Sequence, residues 1–214
     1  FNLKKFNDAI LYFDMVLSLQ SNHTSSLLHK GICLLNIGVE SDALTYFDRI
    51  LETNPNNINA LGYKGIVFSN NHEYKKALTY FDSVLTIDPK NIKSIFHKGV
   101  CLYNLNRFDE SIPVFNEAYD LDSSFTECIL YLGKAYSQVN DFSNSFSCYE
   151  KVLRHDPKNF DALLQKSILL TDMGRFDEAL STCNNALSME PFNLDLLFNK
   201  AWILSILGKN TDSE

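Results

Sequence analysis

The chain has 214 residues, 45% of them hydrophobic, and a formal net charge of −7. That hydrophobic share belongs to folded chains and excludes extended disorder. The sequence has no long apolar run and no signal-peptide pattern, so nothing in it directs the chain to a membrane, and a cytoplasmic location is expected.

The charge is uneven. Residues 1–107 carry 11 basic and 9 acidic side chains, and residues 108–214 carry 8 and 17. The acidic half argues against nucleic acid or anionic lipid as the main partner. The five cysteines, Cys33, Cys101, Cys128, Cys148 and Cys183, show no metal-ligand spacing and read as buried core thiols.

In chain order, the sequence repeats every 34 residues without insertion or deletion. Residues 1–23 supply the end of one helix and a whole second helix. Full units follow at 24–57, 58–91, 92–125, 126–159 and 160–193, and residues 194–214 supply a first helix and a tail. We read 1–214 as a single array whose two ends both fall inside a repeat, a piece of something longer. A fixed period of this length marks stacked repeats.

With Thr24 as position 1, positions 4, 8 and 11 are Leu27, Gly31 and Leu34, then Leu61, Gly65 and Phe68, then Ile95, Gly99 and Leu102. This is one stripe of a first helix, A. Ala43, Leu44, Phe47, Ile50 and Leu51 form the buried stripe of a second helix, B. Gly38, His72, Asn106, Asn140, Gly174 and Gly208 stand between them, where a left-handed turn is expected. Position 32, Pro55, Pro89, Pro157 and Pro191, suits a helix start. The recurrent glycine costs helix stability and implies a close approach of A and B beside the phenylalanine column. Pro113 falls inside helix B of repeat four, where it removes the hydrogen bond to the Asp109 carbonyl and predicts a kink and the least regular unit.

Leu-x3-Gly-x2-Leu, then Ala-x3-Phe-x2-hydrophobe, then Pro, recurring in register, resembles the tetratricopeptide repeat. The Lys-Gly pairs at Lys30-Gly31, Lys64-Gly65 and Lys98-Gly99 resemble archaeal and bacterial arrays. The resemblance implies an all-α solenoid of antiparallel helix pairs forming a right-handed superhelix, with peptides held on a concave face. It also implies what is missing. Position 5, where co-chaperone members carry a lysine that clamps acidic tails, is Leu28, Gly62, Phe96, Leu130, Leu164 and Phe198. Of the asparagine ladder of the sugar-transferase members, only Asn199 is present.

No phosphate loop, nucleophile elbow or metal-binding pair occurs, so neither catalysis, a cofactor nor a metal is expected. Asp109-Glu110 and Asp177-Glu178 read as first-turn carboxylates of B helices. Positions 2, 6, 9 and 13 of helix A lie opposite the core stripe. They nominate a peptide groove of His29, Asn36, Tyr63, Asn70, Lys93, His97, Asn104, Glu127, Tyr131, Lys134, Asp161, Gln165, Asp172, Asp195, Asn199 and Trp202. The amides suit an extended peptide backbone, the rings suit side chains, and the acidic C-terminal stretch with Trp202 suits a basic segment.

The expected function is a non-catalytic protein-interaction scaffold. The alternatives are the substrate-recruiting arm of a larger enzyme and a structural self-assembly module. End-to-end association, or fraying of residues 1–20, is expected because Phe6, Ala9, Ile10 and Phe13 lack most of their A-helix cover. Lys30, Lys64, Lys98 and Lys166 each follow an acidic residue by sixteen positions, Asp14, Asp48, Asp82 and Glu150, and predict partly buried ion pairs between repeats. Lys200 meets Asn184 in this register and is the exception.

Overall fold

The structure, a computed structural model, describes residues 3–211, with side chains to residue 208. The outermost residues of the two partial repeats, 1–2 and 212–214, lie outside the described residues. The described residues form twelve α-helices and no strand.

Two compact units divide between Asn106 and Arg107, within the turn of repeat four rather than at a repeat edge. The first holds α1 (Leu3–Leu19), α2 (Thr24–Asn36), α3 (Glu40–Thr53), α4 (Ile58–Asn70), α5 (Tyr74–Ile87) and α6 (Ile92–Asn104). The second holds α7 (Phe108–Leu121), α8 (Thr126–Gln138), α9 (Phe142–His155), α10 (Phe160–Asp172), α11 (Phe176–Met189) and α12 (Leu194–Thr211). Even-numbered helices are the A helices and odd-numbered ones the B helices.

The A-to-B turns form as the sequence implies. Gly38, His72, Asn106, Asn140 and Gly174 all have positive φ, between 57° and 82°. Gly208 departs from the expectation, because α12 continues through it to Thr211. Elsewhere the turn is held by a B helix packing back on its A helix, and among the described residues α12 has none after it.

The proline column also behaves differently from the expectation. Pro55, Pro89, Pro157 and Pro191 lie just beyond the ends of B helices and outside any helix, so they stop helix B rather than start helix A. The A helices are started by asparagines two residues later. Asn57 Oδ1 accepts from Ala60 N at 3.0 Å, Asn91 from Ser94 N at 3.1 Å, Asn159 from Ala162 N at 3.0 Å and Asn193 from Leu196 N at 3.1 Å. Each satisfies a backbone donor that the helix leaves open.

The glycine column has a direct steric cause. A Cβ at Gly31 would stand 2.5 Å from Phe47, at Gly65 2.6 Å from Phe81, and at Gly133 2.6 Å from Tyr149. Phe47, Phe81, Phe115 and Tyr149 are all buried, beside Ala43, Ala77, Ser111 and Ser145. Serine in the alanine column is accommodated in α7 by Ser111 Oγ donating to the Phe108 carbonyl at 2.9 Å. Ser145 Oγ has no hydrogen-bond partner among the described residues. Pro113 does not interrupt its helix: α7 runs 14 residues, as α3, α5, α9 and α11 do. Pro113 and Asp109 are both exposed, so the proline lies on the solvent side of α7.

Candidate functional site

With the A-helix stripe spent on packing, the opposite columns are left outward. At positions 2 and 13, Lys93, Glu127, Asp161 and Asp195, with Asn36, Asn70, Asn104 and Asp172, are exposed. Positions 6 and 9 are partly covered. Tyr63, His97, Tyr131, Gln165 and Lys134 are half-buried, His29 and Trp202 are exposed, and Asn199 is buried.

The covering comes from packing between neighbouring repeats. The ring at position 6 packs on the B-helix phenylalanine sixteen residues earlier. Phe13–His29, Phe47–Tyr63 and Phe81–His97 stack with centroids 6.0, 5.6 and 5.4 Å apart, and Phe115–Tyr131 is tilted at 5.9 Å. These rings join repeat to repeat. Burial, followed by the nearby Lys93 charge, holds the His97 imidazole down to about 4, so it is neutral at pH 7. The aromatic pairing ends where position 6 becomes Gln165 and Asn199. Asn199 instead donates Nδ2 to Ser167 Oγ and accepts at Oδ1 from Thr171 Oγ1, both at 3.2 Å.

The same sixteen-residue offset carries the predicted ion pairs. Lys30–Asp14, Lys64–Asp48, Lys98–Asp82 and Lys166–Glu150 all form, at 2.5 Å for Lys64 and 2.7 Å for Lys98. The lysine side chains of the first two are only 9% and 11% exposed, while their carboxylates are half in water. The ammonium groups of Lys30, Lys64 and Lys166 also lie 4.5, 4.8 and 5.1 Å from the rings of Tyr46, Tyr80 and Phe146. Burial opposes the charge on Lys30 and Lys64, but the bonds to Asp14 and Tyr46, and to Asp48 and Tyr80, outweigh it and raise both pKa values. Two further B-helix carboxylates are paired: Arg107 grips Glu110 and Arg175 grips Glu178, each through two hydrogen bonds. All five cysteines are buried free thiols.

Glu127, Asp161, Asp172 and Asp195 make no ion pair or hydrogen bond among the described residues. Asp172 is partly desolvated, which raises its pKa. Lys134, the one cation on these columns of the second unit, lies 5.1 Å from its own helix neighbour Tyr131.

Asp172 and Asp195 border a cavity of about 450 Å³ between α10 and α12, walled by Ile168, Thr171, Phe198, Asn199 and Trp202. Phe198 is 73% and Trp202 54% exposed, so both rings face solvent inside this recess. In the first unit, Asn36 and Asn104 each donate Nδ2 to the carbonyl four residues back, Ile32 and Val100, at 2.8 Å. Their Oδ1 atoms remain as acceptors for a ligand.

The family model described as anaphase-promoting complex, cyclosome, subunit 3 matches residues 36–118, and models of the tetratricopeptide repeat match residues 129–159 and 148–181. No curated protein sequence matches the chain significantly. Among solved structures, the chain is similar to YrrB, described as a TPR protein with an unusual peptide-binding site. The TM-score is 0.71 at 20% identity over 88% of this chain and 97% of that one. It is similar to MamA from Desulfovibrio magneticus RS-1, with TM-score 0.73 at 19% identity over 78% and 95% of the two chains. It is also similar to the Thermus thermophilus TPR protein TTC0263, with TM-score 0.66 at 21% identity over 85% and 98%. Helix pairs of 34-residue period, the glycine seated against an aromatic ring, the repeat-model matches and the shared fold agree: the chain is a tetratricopeptide repeat protein.

Proposed function

We propose that the protein is a non-catalytic interaction scaffold whose A-helix faces hold an extended peptide, and that the face of the second unit takes a basic segment. One observation carries this reading. Glu127, Asp161, Asp172 and Asp195 all stand outward on A-helix faces without a cation among the described residues, and Asp172 and Asp195 border the recess that Trp202 lines. A row of carboxylates left unpaired beside aromatic surface is complementary to lysine and arginine side chains. That YrrB is described as having a peptide-binding site agrees with the reading.

The test is titration of basic peptides into wild type and an Asp161→Asn, Asp195→Asn variant. Wild type binds more tightly, and its affinity falls as salt rises, because these charges are screened over roughly 8 Å at ~0.15 M. Equal affinity for both proteins, or a preference for acidic peptides, refutes it.

A second reading, association of copies through their terminal helices, is favoured by exposed apolar side chains. Leu11, Tyr12, Met15 and Leu19 are exposed on α1, and Leu194 and Leu204 on α12. They are not the residues expected from the sequence. Phe6, Ala9, Ile10 and Phe13 are half-covered, with Phe13 against His29 and Ile10 in the core cluster of Leu27 and Phe47. Light scattering across a concentration series decides this reading: a mass that rises with concentration in wild type but not in Leu11→Lys, Met15→Lys supports it, and a constant monomer mass ends it.

A further inference from the structure

The cavity between α10 and α12 carries its two carboxylates, Asp172 and Asp195, on different helices. Asn199 sets its geometry. Its amide bonds to Ser167 and Thr171, so Asn199 stands level with that turn of α10. Both helices are A helices separated by the single B helix α11, and so run in the same direction.

At a rise of 1.5 Å per residue, Asp195 lies about 6 Å from Asn199 toward the helix start, and Asp172 lies about 4.5 Å from the middle of the Ser167–Thr171 turn toward the helix end. The two carboxylates are thus about 10 Å apart along the helices. Trp202, three residues after Asn199, is level with Asp172, and Phe198 and Ile168 lie between the charged ends.

One cation cannot serve both carboxylates at that separation. An extended peptide offers a natural pair. Its residues i and i+2 point to one face about 6.8 Å apart, while i and i+1 point to opposite faces. The long arms of basic side chains span the remainder. At the Trp202 end a guanidinium has an advantage over an ammonium, because it is planar, stacks on an indole and is more weakly hydrated while still bonding a carboxylate.

We propose that this cavity recognises a two-cation segment with one residue between the cations: an arginine lies on Trp202 and pairs with Asp172, and a second basic side chain two residues away pairs with Asp195. The inference rests on the peptide-binding reading above and adds a spacing and a residue preference to it.

Trp202 is the only tryptophan of the chain, so its emission reports on this cavity. The experiment titrates the whole chain with synthetic alanine-based peptides of identical composition, carrying two arginines at i and i+1 or at i and i+2. A third peptide replaces both arginines of the i, i+2 pair by lysine.

Binding of the i, i+2 arginine peptide is expected to be about three- to fivefold tighter than that of its adjacent isomer, the effect of one added pair of this exposure. Asp195→Asn should erase that difference. Equal affinity of the isomers overturns the spacing, with the basic-segment reading intact. Equal affinity of the lysine and arginine i, i+2 peptides overturns the arginine assignment. If none of the three perturbs Trp202 or binds by calorimetry, the basic-segment reading itself falls.

Discussion

Gly62 and Gly65 lie one turn apart in α4, and the structure predicts opposite outcomes when each is changed to alanine. In helix propensity the two substitutions are equivalent, each gaining up to about 1 kcal/mol over glycine. Their surroundings differ. A Cβ at Gly62 meets nothing within 4 Å. At Gly65 it would stand 2.6 and 2.8 Å from Cε1 and Cζ of Phe81. Phe81 is 1% exposed, so its ring has no open space to enter.

Overpacking of this kind costs about 1–3 kcal/mol. Gly62→Ala should therefore stabilise by about 0.5–1 kcal/mol, and Gly65→Ala should be about 1–3 kcal/mol less stable than Gly62→Ala. That comparison cancels propensity and leaves the steric contact. Urea melts followed by far-UV circular dichroism read the difference, and Phe81→Leu in the Gly65→Ala background should recover part of it. Equal stability of the two single variants would refute the account of the glycine column.

Three further outcomes follow from the packing. Asp48→Asn should cost about 1 kcal/mol, because it leaves Lys64 poorly compensated while Asp48 itself is half in water, whereas Lys64→Met keeps the packed stem and should be nearly neutral; equal losses in denaturant melts would contradict the pair's description. His97 is depressed on folding from 6.5 to about 4, so the unfolded chain binds the extra proton, and its contribution to stability is present above pH 6.5 and lost as pH falls toward 4. Replacing it by the tyrosine found at Tyr63 and Tyr131 should flatten wild-type stability in that window by up to about 1.4 kcal/mol per pH unit, and parallel pH profiles would argue against the burial of His97. Burial, the largest cause in each, pushes the Cys101 and Cys148 thiols up to about 11 and Cys128 to about 12, so thiol labelling at pH 8 should be slow until denaturant is added; rapid stoichiometric labelling of the native chain would contradict it.

The helix pattern was legible in the sequence because it is local and repeated. A stripe at 4-8-11, a left-handed residue at position 15 and a packed Ala–Phe column each depend on a few neighbouring residues and one helix geometry, and the period writes them several times. The ion pairs were legible for the same reason: a constant sixteen-residue offset let Asp14, Asp48, Asp82 and Glu150 vary with their lysines. That offset also relates Phe13, Phe47, Phe81 and Phe115 to His29, Tyr63, His97 and Tyr131, but on sequence alone a ring at position 6 fits a packing contact and a ligand contact equally well.

The proline column was assigned to the wrong helix end because proline suits either side of a helix boundary, and only the backbone shows Asn57, Asn91, Asn159 and Asn193 doing the capping. What the tertiary structure alone decided is which polar groups remain free. Charge counts cannot separate Glu178, gripped by Arg175, from Asp195, which has no cation among the described residues. Nor can they show that Asn199 is consumed by Ser167 and Thr171 while Asp172, Asp195 and Trp202 border one recess. A repeat specifies which face packs, since burial of apolar stripes dominates the folding energy. The chemistry left on the other face depends on distances between side chains of different helices, and those are set only when the helices are in place.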